Sequence, residues 1–306
     1  MQNNKAIDAQ SDWISNWPIL SMRPYLRLAR ADRPIGIWLL LWPCWWSVML
    51  AGGSGSLLYD LWTLTLFAIG ATVMRAAGCA YNDIIDRNID AKVKRTQNRP
   101  IPSGDISVRQ ATLFLVLCSL IGLLVLIQFN TFTIILGISS LGIVAIYPFM
   151  KRITYWPQSV LGLAFSWGAL MGWSSITSYL DLAPIALYIA TVFWTIGYDT
   201  IYAHQDKEDD ALLGLKSTAL RFGESTKYWL SCFYMIVIVM LAIAGFLVGS
   251  GIIFMIGLGA ASLNLVWQIK TLDINDTENC LQRFRSNRDF GALVFISFAF
   301  HYFTIS

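Results

Sequence analysis

Nine apolar runs, and basic residues that avoid them, constrain this sequence more than any other feature. The runs read as membrane spans at 35–52, 61–80, 111–127, 132–150, 159–176, 183–203, 229–248, 252–269 and 290–305. Most approach the ~20 residues that a helix needs to cross the hydrocarbon of a bilayer. Of the 22 Lys and Arg residues, every one but Arg75 falls in 1–34, 81–110, 151–158, 204–228 or 270–289. With the N-terminus inside, those are the inner segments. The outer loops near 53–60, 130, 178–181 and 249–251 then carry no basic residue. This is the positive-inside pattern, and it sets the orientation. A charged fraction of 13% and a mean hydropathy of +0.56 exclude an ordinary soluble domain, which carries about 25%. The expected fold class is all-α: a polytopic membrane protein of about nine transmembrane helices around a central cavity. A polar tail at 1–22 precedes a single transmembrane domain at 23–306.

Cys44, Cys79, Cys118, Cys232 and Cys280 show no ligand spacing and read as free, apolar-behaving thiols. Residues 1–22 hold Lys5 as their one basic residue, beside Asp8 and Asp12, which matches neither a secretory nor an organellar leader. The expected location is a cell inner membrane, multi-pass, with a cytoplasmic N-terminus and lipid as its surroundings. No nucleic-acid partner is expected, and the oligomeric state is left open.

Directly after the second run comes Tyr81-Asn82-Asp83-Ile84-Ile85-Asp86-Arg87-Asn88-Ile89-Asp90. On a helix, Asn82, Asp83, Asp86 and Asp90 share one face over about two turns. Acids at a helix C-terminus oppose the dipole, and crowded carboxylates repel, so a cation belongs among them. Hard oxygen donors at this density point to Mg²⁺. Arg75, seven residues before Asn82, is a costly charge inside a span and reads as facing a polar cavity on that same side. Arg87, Lys92, Lys94, Arg95 and Arg99 follow the acids as countercharge for a leaving anion, or as ordinary inner-loop charges.

A weak repeat of this pattern ends the sixth run, where Asp199, Tyr202, Asp206 and Asp210 would again share a helical face. Asp83 and Asp90 have the same seven-residue spacing as Asp199 and Asp206. Two pseudo-repeated halves, each with an Asp-rich helix end on the inner side, could bind two Mg²⁺ ions and a diphosphate between them. A long isoprenyl diphosphate suits such a mouth, because its tail is as apolar as lipid. Trp38, Trp42, Trp45 and Trp46 suit an interfacial belt, or a chamber for a carbocation. Tyr147, Tyr155, Trp167 and Trp173 share that ambiguity, and His204 reads as a hydrogen-bonding neighbour.

The acidic motifs resemble those of the UbiA superfamily of intramembrane prenyltransferases. Flanking words are similar to its 4-hydroxybenzoate polyprenyltransferase branch: Asp32-Arg33-Pro34-Ile35-Gly36, Val93-x-Arg95-Thr96-x-x-Arg99-Pro100, Tyr147-Pro148-x-x-Lys151-Arg152, Met171-Gly172-Trp173 and Lys216-Ser217-Thr218. The resemblance implies transfer of a polyprenyl group from its diphosphate to the carbon ortho to the hydroxyl of 4-hydroxybenzoate, in ubiquinone synthesis. It implies Asn82 and Asp86 on one Mg²⁺ and Asp206 and Asp210 on the other. Asp83 and Asp90 would lie beside the first ion and Asp199 near the reacting centre. Arg33 and Arg152 are candidates for the benzoate carboxylate or the diphosphate. Arg75 joins Asp199 and Arg152 as a catalytic candidate, while Arg95, Arg99, Lys151, Tyr147 and Tyr202 are substrate-binding candidates. The competing expectations are another aromatic or haem precursor as acceptor and, outside the class, a divalent-cation transporter.

Overall fold

Residues 13–93 and 95–305 are described by a computed structural model, and among them the chain is helical, with no strand. In chain order the helices are α1 (Arg23–Leu28), α2 (Ile35–Leu50), α3 (Leu57–Asp90), α4 (Val108–Leu126), α5 (Thr131–Ile146), α6 (Met150–Ile153), α7 (Pro157–Phe165) and α8 (Trp167–Thr177). There follow α9 (Leu182–Ala203), α10 (Lys207–Leu212), α11 (Thr218–Phe222), α12 (Thr226–Leu247), α13 (Ile252–Thr271), α14 (Thr277–Arg285) and α15 (Asn287–Ile305). Every expected run falls on a helix, but among the described residues seven helices are long and apolar enough to cross a membrane. The count of nine is not reached. Of the two runs left over, α2 has only 16 residues and stops before Gly52 and Gly53, whose φ angles of 77° and 76° end a right-handed helix. α15 carries Arg288, Asp289 and His301. Residues 1–12 of the expected tail lie outside the described residues; Trp13–Asn16 and Leu20–Met22 form 3₁₀ turns, with Ile14 buried.

The length of α3 positions the first acidic stretch. Its 34 residues rise about 51 Å, against about 30 Å of hydrocarbon, so one end overhangs the apolar section. The acids occupy that overhang.

The described chain divides into two compact units. The first comprises residues up to 37 together with 69–125. Its core joins Leu28, Ala80, Ile106 and Ala111, with Tyr25, Ile84 and Phe114 packed on them. Leu113, Leu117, Leu120 and Leu124 on α4 stay exposed, as a lipid-facing stripe should.

The second unit comprises 38–68 and 126 onward. Here α9 packs on α7, α8 and α12, and α13 packs on α15. Apolar side chains gain little from leaving lipid, so small residues and interhelical hydrogen bonds hold such bundles together. Gly168 and Gly172 lie directly against Cys44 of α2. Ser47 Oγ donates to the Ala169 carbonyl, and Tyr234 OH donates to Gln268 Oε1 at 3.0 Å. The tryptophans of α2 are packed with one another and not spread as a belt. Trp38 and Trp42 stack at 5.1 Å, Trp45 meets Phe295 at 5.4 Å, and Trp46 is fully buried against Trp194. The belt fails because Trp45 and Trp46 spend their indole N–H groups on the Leu64 and Gly291 carbonyls rather than on water. All five cysteines are free. Cys280, in α14, has its thiol pushed up to about 11 by burial and, less strongly, by Asp276 and Asp273, which makes it inert.

A Cβ on Gly291 would run into the Trp42 indole, whereas one on Gly259 meets open space. Gly291→Ala is expected to cost about 1–3 kcal/mol through overpacking. Thermal unfolding in detergent should show a lowered Tm for that variant and no loss for Gly259→Ala.

Candidate functional site

The first acidic stretch lies on unbroken α-helix to Asp90. Asn82 Nδ2 donates to Asp86 Oδ2 at 3.2 Å, so the i,i+4 pairing expected on one face is present. Asp83, Asp86 and Asp90 are all buried, at 1%, 0% and 4% exposure, a state ionised carboxylates tolerate only beside cations. Arg99 supplies one: its Nη1 lies 2.7 Å from Asp90 Oδ2 and 3.3 Å from Asp83 Oδ1. The loop that returns Arg99 is pinned by buried Thr96, whose hydroxyl donates to the Asp90 carbonyl at 2.9 Å.

The second cation is Arg30, 2.7 Å from Asp83 Oδ1, which the sequence reading did not single out. Arg30 has φ of 57°, a left-handed conformation that a non-glycine residue adopts at a cost of about 1–2 kcal/mol. Its N–H donates to the Arg27 carbonyl, and the Ala31 N–H donates to that of Leu26, the Schellman closure of α1. Glycine is usual at that position. An arginine there is the one local signal that could have marked it.

Arg75 is half-buried, and its guanidinium lies where a Cβ on Gly36 would stand. The Asp32–Gly36 word is thus explained at its last residue: glycine lets the arginine lie against the start of α2. Arg33 Nη2 lies 3.3 Å from Asp32 Oδ2. Arg87 is exposed and donates to the Ile84 carbonyl, and Lys92 is exposed, so neither is buried with the acids. Arg95 is half-buried. Lys94 lies outside the described residues.

In the second unit, Asp199 and Tyr202 share a face of α9, but the helix stops at Ala203. His204–Asp206 is a 3₁₀ turn, and Asp210 belongs to α10. The expected single face for Asp199, Tyr202, Asp206 and Asp210 is therefore broken. The tighter 3₁₀ winding changes the angular step between residues, so the seven-residue repeat does not reproduce one backbone form. His204 Nε2 and Thr226 Oγ1 are 3.0 Å apart, the neighbour role expected of it.

Flanking words converge on α9. Thr200 and Thr218 hydroxyls share a 2.6 Å hydrogen bond, and Thr218 N–H donates to Gln158 Oε1 at 3.1 Å. Lys216 N–H donates to the Lys151 carbonyl at 2.8 Å, and its Nζ donates to the Ile153 carbonyl. Tyr147 and Lys151 are half-buried, and Arg152 is exposed above the Phe149 ring at 5.8 Å. The Tyr202 ring packs on Phe284 at 4.6 Å, another residue that sequence reading missed.

Among the described residues, no three His, Cys, Asp or Glu side chains form a ready metal cage. That fits Mg²⁺, which keeps one or two carboxylates and fills the rest of its octahedron with water and phosphate oxygens. It does not fit a structural Zn²⁺ centre. Asn82 with Asp86, and Asp206 with Asp210, offer only hard oxygen ligands suited to that ion.

A profile of the UbiA prenyltransferase family matches residues 40–299. The mitochondrial 4-hydroxybenzoate polyprenyltransferase of Aedes aegypti is 52% identical over 280 residues, 89% of this chain and 62% of that protein. The protein of the same name from Homo sapiens is 51% identical over 276 residues, 90% of this chain and 74% of that protein. The chain thus spans under two thirds of the Aedes protein. The apo structure of a UbiA homolog from Aeropyrum pernix K1 has a TM-score of 0.69 at 23% identity, covering 88% of this chain and 97% of that one. A UbiA homolog from Archaeoglobus fulgidus bound to GPP and Mg²⁺ has a TM-score of 0.63 at 20% identity, covering 92% and 99%. The relatives' mitochondrial names overturn the expectation of a cell inner membrane. That expectation rested on residues 1–22, and the start of a chain spanning 62% of a relative does not report its compartment.

Arg99→Met removes the charge that Asp83 and Asp90 share. The loss of stability should fall short of the about 3–5 kcal/mol of an unshared buried pair, because Arg30 still faces Asp83. Denaturant unfolding should also show that adding Asp90→Asn recovers part of the loss.

Proposed function

The chain belongs to the UbiA prenyltransferase family, and from that premise we propose that it is a 4-hydroxybenzoate polyprenyltransferase of a mitochondrial membrane. It would transfer a polyprenyl group from its diphosphate to the ring carbon ortho to the acceptor's hydroxyl. The observation that carries the reading is the buried acidic end of α3, organised by Arg30 and Arg99 and flanked by hard donors. The sequence identity to proteins of that name supports the acceptor.

In this reading Asn82 and Asp86 hold one Mg²⁺, and Asp206 and Asp210 hold another. When bound, Mg²⁺ neutralises the diphosphate and favours its departure. Asp83 and Asp90 do not need to be ligands. Their paired geometry fits them to aim Arg99 and Arg30, whose guanidinium charge then suits a diphosphate. Arg95 and Lys151 add charge for the donor, and Arg75 stabilises the departing anion or pairs with an acid. Arg33 and Arg152 are assigned to the benzoate carboxylate or the diphosphate. Tyr147 and Tyr202 line the substrates.

Departure of diphosphate leaves an allylic cation, which must meet the acceptor ring before water. Asp199 is placed beside that step, to stabilise positive charge and receive the ring proton when aromaticity returns. The spans from 23 onward act as one enzyme domain with lipid as solvent for the prenyl tail. A cation transporter is the weaker reading, since its acids should lie near mid-membrane rather than bound by arginines at a helix end.

Purified protein given 4-hydroxybenzoate, a polyprenyl diphosphate and Mg²⁺ should form prenylated 4-hydroxybenzoate, and EDTA should abolish it. Asp86→Ala and Asp206→Ala should each lower the rate at least about a hundredfold while the chain stays folded, beyond what an outer partner's loss costs. Full activity in either variant would refute the metal assignment.

A further inference from the structure

The short helix α14 is fastened to α9 by its far end. Asp276 caps its start, accepting from the backbone N–H groups of Glu278 and Asn279. At the other end the Ser286 hydroxyl donates to the Arg283 carbonyl at 2.8 Å, and the Ser286 backbone N–H meets the Phe284 carbonyl. The side-chain amide of Asn287 donates to both, each at 3.1 Å. The amide oxygen of Asn287 accepts from the Trp194 indole N–H at 2.7 Å. Asn287 is wholly buried, and one amide thus joins the α14–α15 turn to the middle of α9.

Three residues earlier, the Phe284 ring meets Tyr202 at 4.6 Å and Tyr198 at 5.8 Å. These tyrosines are one helical turn apart and bracket Asp199. Trp194 continues the column, packed on Tyr198 at 5.2 Å and Phe290 at 5.3 Å. Beyond Ala203 the backbone winds as 3₁₀, so no continuing α-helix sets the rotation of this last turn. Phe284 packs on the last full turn before the 3₁₀ winding, through Tyr202.

We propose that Asn287 is a positioning residue: it holds the α14–α15 turn on Trp194, so that Phe284 fixes Tyr198, Tyr202 and the α9 turn that leads into Asp206. This rests on the reading that Asp206 and Asp210 hold a divalent ion. Asn287 touches neither substrate nor metal. It acts through Phe284 on the direction in which the second acidic stretch leaves α9.

The test is calorimetric titration of Mg²⁺ into the full chain in detergent with a prenyl diphosphate present. An Asp86→Ala background leaves the second stretch as the site observed. Asn287→Leu, Trp194→Phe and Asp206→Asn are compared there, with thermal unfolding in parallel. Asn287→Leu and Trp194→Phe are each expected to weaken Mg²⁺ about tenfold, the low end for losing an outer partner of a metal site. Asp206→Asn should abolish the binding. A lowered Tm with unchanged Mg²⁺ affinity would overturn the proposal, leaving Asn287 a packing residue. Binding that survives Asp206→Asn would instead overturn the metal reading of this stretch, and the proposal with it. Should Asn287→Leu not fold, Trp194→Phe, which keeps an aromatic ring but removes the indole N–H, decides by the same criterion.

Discussion

Three carboxylates within two helical turns cannot be buried and ionised unless cations are built in beside them, and α3 ends on that constraint. Arg99 and Arg30 come from opposite sides in sequence, nine residues after Asp90 and far before Asp83, to supply the charge. Much of the first unit follows. The loop after α3 must turn back tightly enough to return Arg99, and Thr96 holds that turn. The C-terminus of α1 must close in a left-handed conformation on an arginine, accepting local strain to place a guanidinium. The overhang of α3 carries the whole assembly clear of the hydrocarbon.

The second unit solves a different problem with different means. Its acids are borne by a helix that stops, a 3₁₀ turn and a short helix, so backbone continuity cannot aim them. Side-chain fastenings take over: Thr200 to Thr218, Thr218 to Gln158, Lys216 to the 151–153 backbone, and Asn287 to Trp194. The buried links among these are retained because a missing partner would leave a group unsatisfied. The same need keeps the indoles of Trp45 and Trp46 on backbone carbonyls in the helix packing.

Much of this was legible in the sequence because hydropathy and charge placement in membranes report directly on structure. The helices fell where the apolar runs did, and the Asn82–Asp86 pairing followed from helical spacing alone. What was not legible depended on tertiary return of the chain. Arg30 is one of four arginines between 23 and 33, and nothing local says that its side chain will reach a residue 53 positions on. Arg87, one turn from Asp83, is exposed, whereas Arg99 returns from the loop to the buried acids. The break after Ala203 has no proline or glycine to announce it, so a helical face drawn through Asp210 was natural and incorrect. Tryptophan in an apolar run reads the same whether it will face lipid or another ring.

The central claim is that both acidic stretches hold divalent ions, and counting ions tests it most directly. Mn²⁺ bound per chain can be read by loss of the free-ion EPR signal, in the presence of an unreactive prenyl thiodiphosphate. About two ions per chain are predicted, by analogy with paired-metal sites that clamp a departing phosphate, falling to about one in Asp86→Ala or in Asp206→Ala. An unchanged count in either variant, or no binding at all, would contradict it.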